Sequence, residues 1–293
     1  AAVVAAAAQA AGRPVPAHLE AAVHAAQVSD AHRAVARALL SGEKRAVWLG
    51  ALAARHAAFA DLRALAAALA QLAGASLGRL AEGGNGVGAY LAGALPHREA
   101  GGKAVAEPGL TARDMLRRPL RACVLVGGIE PSIDALDADS SAVLGRAELV
   151  IALTPFAGAE LRRVAHVLLP IGTFAEVPGT YVNCEGLWQS QEAAAALVGA
   201  ARPGWKVLRV LGNLLGIAGF EYQSCAEVRA ELERACAALV PRGYAGTHVV
   251  TAAAAAAGGA GLVDVPMYQT DALVRRAPAL QKTREGRTPP ASY

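Results

Sequence analysis

Apolar positions along the chain recur with two different periods. Between Ala57 and Ala73, Phe59, Leu62, Leu65, Leu69 and Leu72 follow steps of three and four, the stripe of an amphipathic helix that Gly74 closes. Upstream, Ser29-Asp30 is a capping pair for a helix reaching about Leu40, within an alanine-rich lead-in that Pro14 and Pro16 interrupt. Short apolar runs without polar alternation predict buried strands at Arg45–Gly50, Ala122–Val126, Glu148–Leu153 and His166–Leu169. Helical pieces fall between them: one started by Thr111 with Asp114 and stopped by Pro119, one over Asp139–Arg146, one over Ala157–Val164. Apolar strands alternating with helices predict an α/β fold with a parallel, Rossmann-like sheet and helices on both faces.

Beyond the strands, Glu176–Gln189 reads as a polar loop between β-like segments. Pro203 opens a helix carrying Trp205, Leu208, Leu211 and Leu215 on one side, and Ser224 caps another to about Leu239. Thr251–Gly261 is low-complexity linker, and Val263–Tyr293 reads as an extended tail that orders only against a partner or the domain surface. The expected division is therefore a helical lead-in over 1–43, an α/β domain over 44–218, a C-terminal helix within 219–250, and linker with extended tail over 251–293.

Composition narrows the function classes. The apolar fraction of 54% is inflated by alanine and aromatics make 4%, which is not a membrane composition. The most apolar windows, Ala1–Ala11 and Thr251–Gly261, fall short of the roughly 20 residues a bilayer requires. No basic n-region of a signal peptide is present, and a start without Met points to a segment of a longer chain. Net charge is +4, but Lys and Arg are scattered, so no basic stripe for nucleic acid forms. The one cluster, Arg275-Arg276 through Lys282, Arg284 and Arg287, reads as a solvated or partner-docking tail. Cys123, Cys184, Cys225 and Cys236 make no C-x-x-C pair, and the seven His are dispersed, so neither an iron–sulfur nor a metal site is expected.

Candidate chemistry lies at the carboxyl ends of the strands, where loops of a parallel sheet converge on ligands. Those loops are Gly127-Gly-Ile-Glu-Pro-Ser132, Thr154-Pro-Phe156 and Pro170–Glu176. They allow two readings: a nucleotide- or pterin-type pocket with backbone amides on an anion, or strand-to-helix turns in which Gly and Pro meet geometric needs. Gly83–Gly88 lacks the G-K-[ST] of a P-loop and the G-x-G-x-x-G spacing, so it is weak evidence for nucleotide. Glu176 and Glu185, with His166 near in sequence, could do acid–base work; Asn183 and Glu185-Gly186 read more simply as turn-forming. Ser140, Ser141 and Ser190 lie in no G-x-S-x-G elbow.

Several ordered blocks carry a family resemblance: Trp48-Leu-Gly50, Glu82–Tyr90, Val124–Pro131, Val150–Phe156, His166–Pro170, Glu176–Gln189, Arg202–Asn213 and Val265–Leu280. In this order they resemble the large subunits of molybdopterin oxidoreductases and, through the last three blocks, the iron–sulfur subunit of bacterial NADH–quinone oxidoreductase (respiratory complex I) that shares their fold. The second resemblance implies a non-redox scaffold with the molybdopterin-oxidoreductase fold but no molybdenum cofactor. Iron–sulfur clusters would then lie in the N-terminal part of the parent chain, and other peripheral-arm subunits would be partners, on the cytoplasmic side of the inner membrane and without membrane insertion. As part of that enzyme the segment would carry no catalytic residue. A vestigial pocket would draw on Gly127, Glu130, Thr154, Glu176, Asn183 and Glu185. Leu187 stands where molybdopterin relatives have Arg, which removes a planar, bidentate anion contact. The alternatives are a cofactor-binding domain like that of formate dehydrogenase, and a nucleotide-binding module using Gly83–Gly88.

Overall fold

The computed structural model describes residues 1–56, 58–118, 120–134, 140–239, 244, 246–251, 267–269 and 271–287. They divide into two compact units, one of Ala1–Gly83 with the described part of Val240–Leu262, the other of Gly84–Leu239 with the described part of Val263–Ala291. That division falls inside the 44–218 stretch.

In the first unit, α1 (Ala2–Ala11), α2 (Glu20–His24) and α3 (Asp30–Ser41) precede β1 (Ala46–Leu49), α4 (Ala51–Arg55), α5 (Phe59–Ala73) and β2 (Ser76–Arg79). Alanine sets the packing. Ala6, Ala7 and Ala8 of α1 and Ala64 and Ala68 of α5 are buried, with Val4, Leu19, Val23 and Leu72 filling the space between. Side chains this small let helices approach closely and lose no rotamer freedom on burial. Ser29 caps α3 as expected, its N–H donating to His32 Nδ1 at 3.0 Å. Strand β2 was not predicted, since Ser-Leu-Gly-Arg carries no apolar run. It pairs in parallel with β1, where Trp48 lies opposite Gly78. A Cβ on Gly78 would stand 3.2 Å from the Trp48 ring, so the ring lies close against the backbone of β2.

The second unit runs α6 (Gly86–Leu91), α7 (Ala112–Met115), β3 (Ala122–Val126), α8 (Pro131–Asp134), α9 (Ser140–Leu144), β4 (Leu149–Thr154), α10 (Ala159–Val164) and β5 (Val167–Pro170). A hairpin follows, β6 (Gly179–Val182) and β7 (Trp188–Gln191), then α11 (Gly204–Leu214), α12 (Cys225–Cys236), α13 (Pro278–Gln281) and α14 (Arg284–Arg287). Strands β3, β4 and β5 form a parallel sheet in that order, so the α/β architecture with parallel strands is present. Central β4 buries Val150, Ala152, Leu153 and Thr154. Leu144 of α9 and Leu161 and Val164 of α10 pack against Ala152, Cys123 and Leu125. On the other face of the edge strand β3, Val124 and Val126 stay exposed.

Two expectations need correction. Glu176–Gln189 is not simply a polar loop: Gly179–Val182 pairs antiparallel with Trp188–Gln191, in register Val182 with Trp188 and Thr180 with Ser190. The β-propensity of Thr180, Tyr181 and Val182 and the turn chemistry of Asn183–Gly186 outweigh the polar composition. The described part of Val263–Tyr293 is not extended either. It makes 3₁₀ turns at Met267–Gln269 and Val274–Arg276 and the short helices α13 and α14. Pro278 occupies the first turn of α13, where its fixed φ and missing N–H cost nothing. The linker expected over Thr251–Gly261 lies, from residue 252 onward, outside the described residues.

The alanine packing makes a direct prediction. Ala7→Leu, at a position with no exposed surface, should lower unfolding stability by about 1–3 kcal/mol through overpacking. Ala10→Leu, on the exposed side of α1, should be near neutral. Equal urea midpoints for the two variants would contradict this packing.

Candidate functional site

The carboxyl edge of β3 and β4 gathers Gly127, Glu130 and Thr154. Beyond β3 the chain turns through Gly127 and Gly128, both at positive φ (99° and 80°), and Gly127 N–H donates to Leu153 O at 3.0 Å. Glu130 precedes Pro131, the first residue of α8, and its N–H donates to Asp134 Oδ2 at 2.6 Å. The Glu130 side chain turns inward and is 10% exposed. Gly158, before α10, leaves room for it: a Cβ there would come within 2.6 Å of Glu130 Oε1. Thr154, also buried, closes a local turn, its hydroxyl accepting from Phe156 N–H at 3.1 Å and donating to Phe156 O at 2.5 Å.

What completes this edge comes from the tail. Arg276 donates to Glu130 Oε1 while its guanidinium lies 4.5 Å from the Phe156 ring centroid. Next to it, Arg275 Nη2 donates to both Asp134 carboxylate oxygens at 3.0 Å, and its side chain is 6% exposed. Ala272 covers Gly128, whose added Cβ would meet the Ala272 methyl at 3.4 Å. Two carboxylates of the body are thus matched by two guanidinium groups of the tail. A buried carboxylate without such a partner would cost several kcal/mol.

A second cluster explains the glycine-rich loop. Asn85 Nδ2 donates to Thr180 O at 3.2 Å, and Val182 N–H donates to Asn85 Oδ1 at 2.8 Å. One carboxamide thereby pairs with hairpin backbone as a strand would. Gly88 must be glycine here, because a Cβ would collide with the Asn85 carboxamide. Gly88 thus seats Asn85 in the helix start, which gives this glycine a packing role.

The remaining candidates serve local turns. Glu176 Oε2 accepts from Thr173 N–H at 2.7 Å and Thr173 Oγ1–H at 2.9 Å. These two bonds, the backbone one foremost, hold its carboxyl below the usual glutamate range. Asn183 Oδ1 accepts from Glu185 N–H at 3.0 Å and Leu187 N–H at 2.9 Å, which shapes the hairpin turn. Glu185 is exposed in that turn. His166 sits at the amino end of β5, its Nδ1 accepting from Val150 N–H at 3.0 Å, whereas Glu176 lies past the carboxyl end of the same strand. Four strand residues, about 13 Å, separate the two ends, so His166 and Glu176 do not act on one substrate atom. Among the described residues no three His, Cys, Asp or Glu come together to hold a metal ion.

A family model described as molybdopterin oxidoreductase matches residues 19–214. The chain belongs to the molybdopterin oxidoreductase family. It is also similar to the mitochondrial NADH-ubiquinone oxidoreductase 78 kDa subunit of Neurospora crassa, 42% identical over 67 residues, which are 23% of this chain and 9% of that protein. The mitochondrial NADH dehydrogenase [ubiquinone] iron-sulfur protein 1 of Solanum tuberosum is 38% identical over 69 residues, 24% of this chain and 9% of its own length. The 78 kDa subunit of Candida albicans is 41% identical over 68 residues, again 9% of its length. The matched stretch thus spans about a tenth of each of these relatives.

The family suggests a pterin cofactor with a pyrophosphate, and the residues at the sheet edge do not suit one. An incoming phosphate would face the Glu130 carboxylate at the point where an anion site needs free amide donors, and like charges at close range repel strongly in a buried setting. The arginines nearest it already pair with Glu130 and Asp134, Arg276 with the first and Arg275 through Nη2 with the second. Sequence reasoning missed Arg275, Arg276, Asp134, Phe156 and Asn85 as members of these clusters. The adjacent arginines were visible, but nothing in one sequence pairs a tail with a turn more than 130 residues upstream.

Two outcomes follow. Asn85→Ala should lower stability by about 1–3 kcal/mol by leaving the Thr180 carbonyl and Val182 amide unmatched, and Gly88→Ala should do the same by unseating Asn85; unchanged urea midpoints would refute the clip. Thr173→Val should raise the Glu176 pKa, read by NMR titration. Because the folded-state pKa is depressed, this carboxylate stabilises the fold above its unfolded pKa, and the effect is lost as pH falls through the folded value. The deficit of Thr173→Val should therefore be largest near neutrality and close in acid; a deficit that grows in acid would contradict the assignment.

Proposed function

We propose that this chain is a non-redox scaffold portion of the iron–sulfur subunit of a bacterial-type NADH–quinone oxidoreductase. The observation that carries this reading is the Arg276–Glu130 pair with Phe156, through which the chain itself fills the sheet edge that a cofactor-binding relative would use. The similarity to the 78 kDa and iron-sulfur protein 1 subunits supports the choice of enzyme. In this reading the segment contributes rigidity and binds no pterin or molybdenum. The iron–sulfur clusters belong to another part of the parent chain. Electron transfer depends steeply on distance, so a body that keeps cluster-bearing neighbours in place serves turnover without touching an electron.

Its partners would be other peripheral-arm subunits of the complex, at the cytoplasmic face of a bacterial inner membrane. Among the described residues no helix is long and apolar enough to cross a membrane, so attachment would run through those subunits. Leu187, exposed in the hairpin turn, offers no contact to an anion there.

The parent complex provides the test. Asn85→Ala in the full-length subunit should reduce the amount of assembled complex, while NADH:quinone turnover per assembled complex stays at the native value. Loss of turnover in complexes assembled in normal amount, or stoichiometric molybdenum or pterin recovered with the subunit, would overturn the proposal.

A further inference from the structure

We propose that Met267–Arg287 is a detachable strap, and that Glu130, Asp134, Phe156 and Gly158 form a receptor for its Arg275–Arg276 pair that also accepts the same segment in trans. This inference is independent of the enzyme to which the chain belongs.

The strap holds its own shape. Gln281 Nε2 donates to Tyr268 O at 3.2 Å and Val274 O at 3.3 Å, and Gln269 Nε2 donates to Gln281 Oε1 at 2.6 Å. Asp271 Oδ1 accepts from Leu273 and Val274 N–H, both at 2.9 Å, and so starts the turn that presents the arginines. Charge is partitioned cleanly: the strap supplies both cations and the body both carboxylates, four positions apart on either side of the α8 turn. Phe156 adds a ring face on which a guanidinium stacks and an ammonium fits less well.

Closure is finely balanced. The Arg275 side chain is 6% exposed, yet its Nε and Nη1 are buried with no hydrogen-bond partner among the described residues. Such unmade bonds oppose burial by about 1–3 kcal/mol each. Apolar anchoring is slight, with Ala272 on Gly128 and Leu273 37% exposed. Upstream, the sequence from Ala252 to Gly261 consists of Ala and Gly alone. The contact is therefore chiefly ionic and aromatic, and it weakens as salt rises.

The test uses the full chain and a fluorescent synthetic peptide spanning Met267–Arg287, with binding read by anisotropy. In the native chain the built-in strap competes, so the peptide should bind weakly. Arg275→Ala/Arg276→Ala disables that strap and should tighten peptide binding by about tenfold or more. Adding Glu130→Gln/Asp134→Asn to that background should abolish the gain. Should the alanine pair fail to fold by circular dichroism, Arg275→Lys/Arg276→Lys keeps the charge while losing the planar fork, and the same order of affinities is expected. Equal binding by native and strap-disabled chains, or binding indifferent to Glu130→Gln/Asp134→Asn, would overturn the proposal.

Discussion

A carboxylate placed out of water at the end of a parallel sheet has to meet a cation, and much of the second unit is arranged to satisfy that demand for Glu130. The sheet delivers the side chain inward because β3 ends in a double-glycine turn and α8 starts immediately after it. Gly158 gives way to it, Arg276 neutralises it, and Phe156 flanks the guanidinium. Asp134 repeats the arrangement one helical turn on, capping the Glu130 amide while holding Arg275. Removing either side of such a pair leaves a buried charge unmatched, which costs more than the pair gains over an apolar replacement. The arrangement therefore specifies where the tail sits more than it adds to stability.

The same matching governs the rest of the candidate site. Asn85 commits both faces of its carboxamide to the hairpin, Asn183 gives its oxygen to the turn, Thr154 closes its own bend, and Glu176 is held by Thr173. These are residue types and loop positions at which a related protein could hold an anion. Here Asn85, Asn183, Thr154 and Glu176 find their partners within the chain itself. Self-satisfaction at a cofactor-type edge is the physical content of the scaffold reading, and it requires a rigid body more than a reactive one.

The α/β class was legible because strands of a parallel sheet have continuous apolar runs, and Ala122–Val126 and Leu149–Thr154 have them plainly, although only the central strand β4 is buried while the edge strand β3 keeps Val124 and Val126 exposed. Helix caps were legible for the same local reason: Ser29, Thr111 and Ser224 act within three residues of themselves. Strand β2 was hidden because its four residues carry no apolar run, and its pairing with β1 is a contact that no local pattern shows. The hairpin was hidden by polar side chains on a segment whose backbone is fixed by a turn and by Asn85. Gly127, Glu130 and Thr154 lie at the strand ends where the sequence puts their loops, but Arg276, which pairs with Glu130, lies 146 positions away and no local pattern reaches that far.

The central claim is that Glu130 and Arg276 are energetically coupled, and a double-mutant cycle measures it most directly. Urea unfolding of the native chain, Glu130→Gln, Arg276→Leu and the combined variant should give a coupling energy above about 1 kcal/mol. The combined variant should lose less stability than the two single losses together. Additive losses would mean that the carboxylate and the guanidinium do not depend on each other, and the account of the sealed sheet edge would fail.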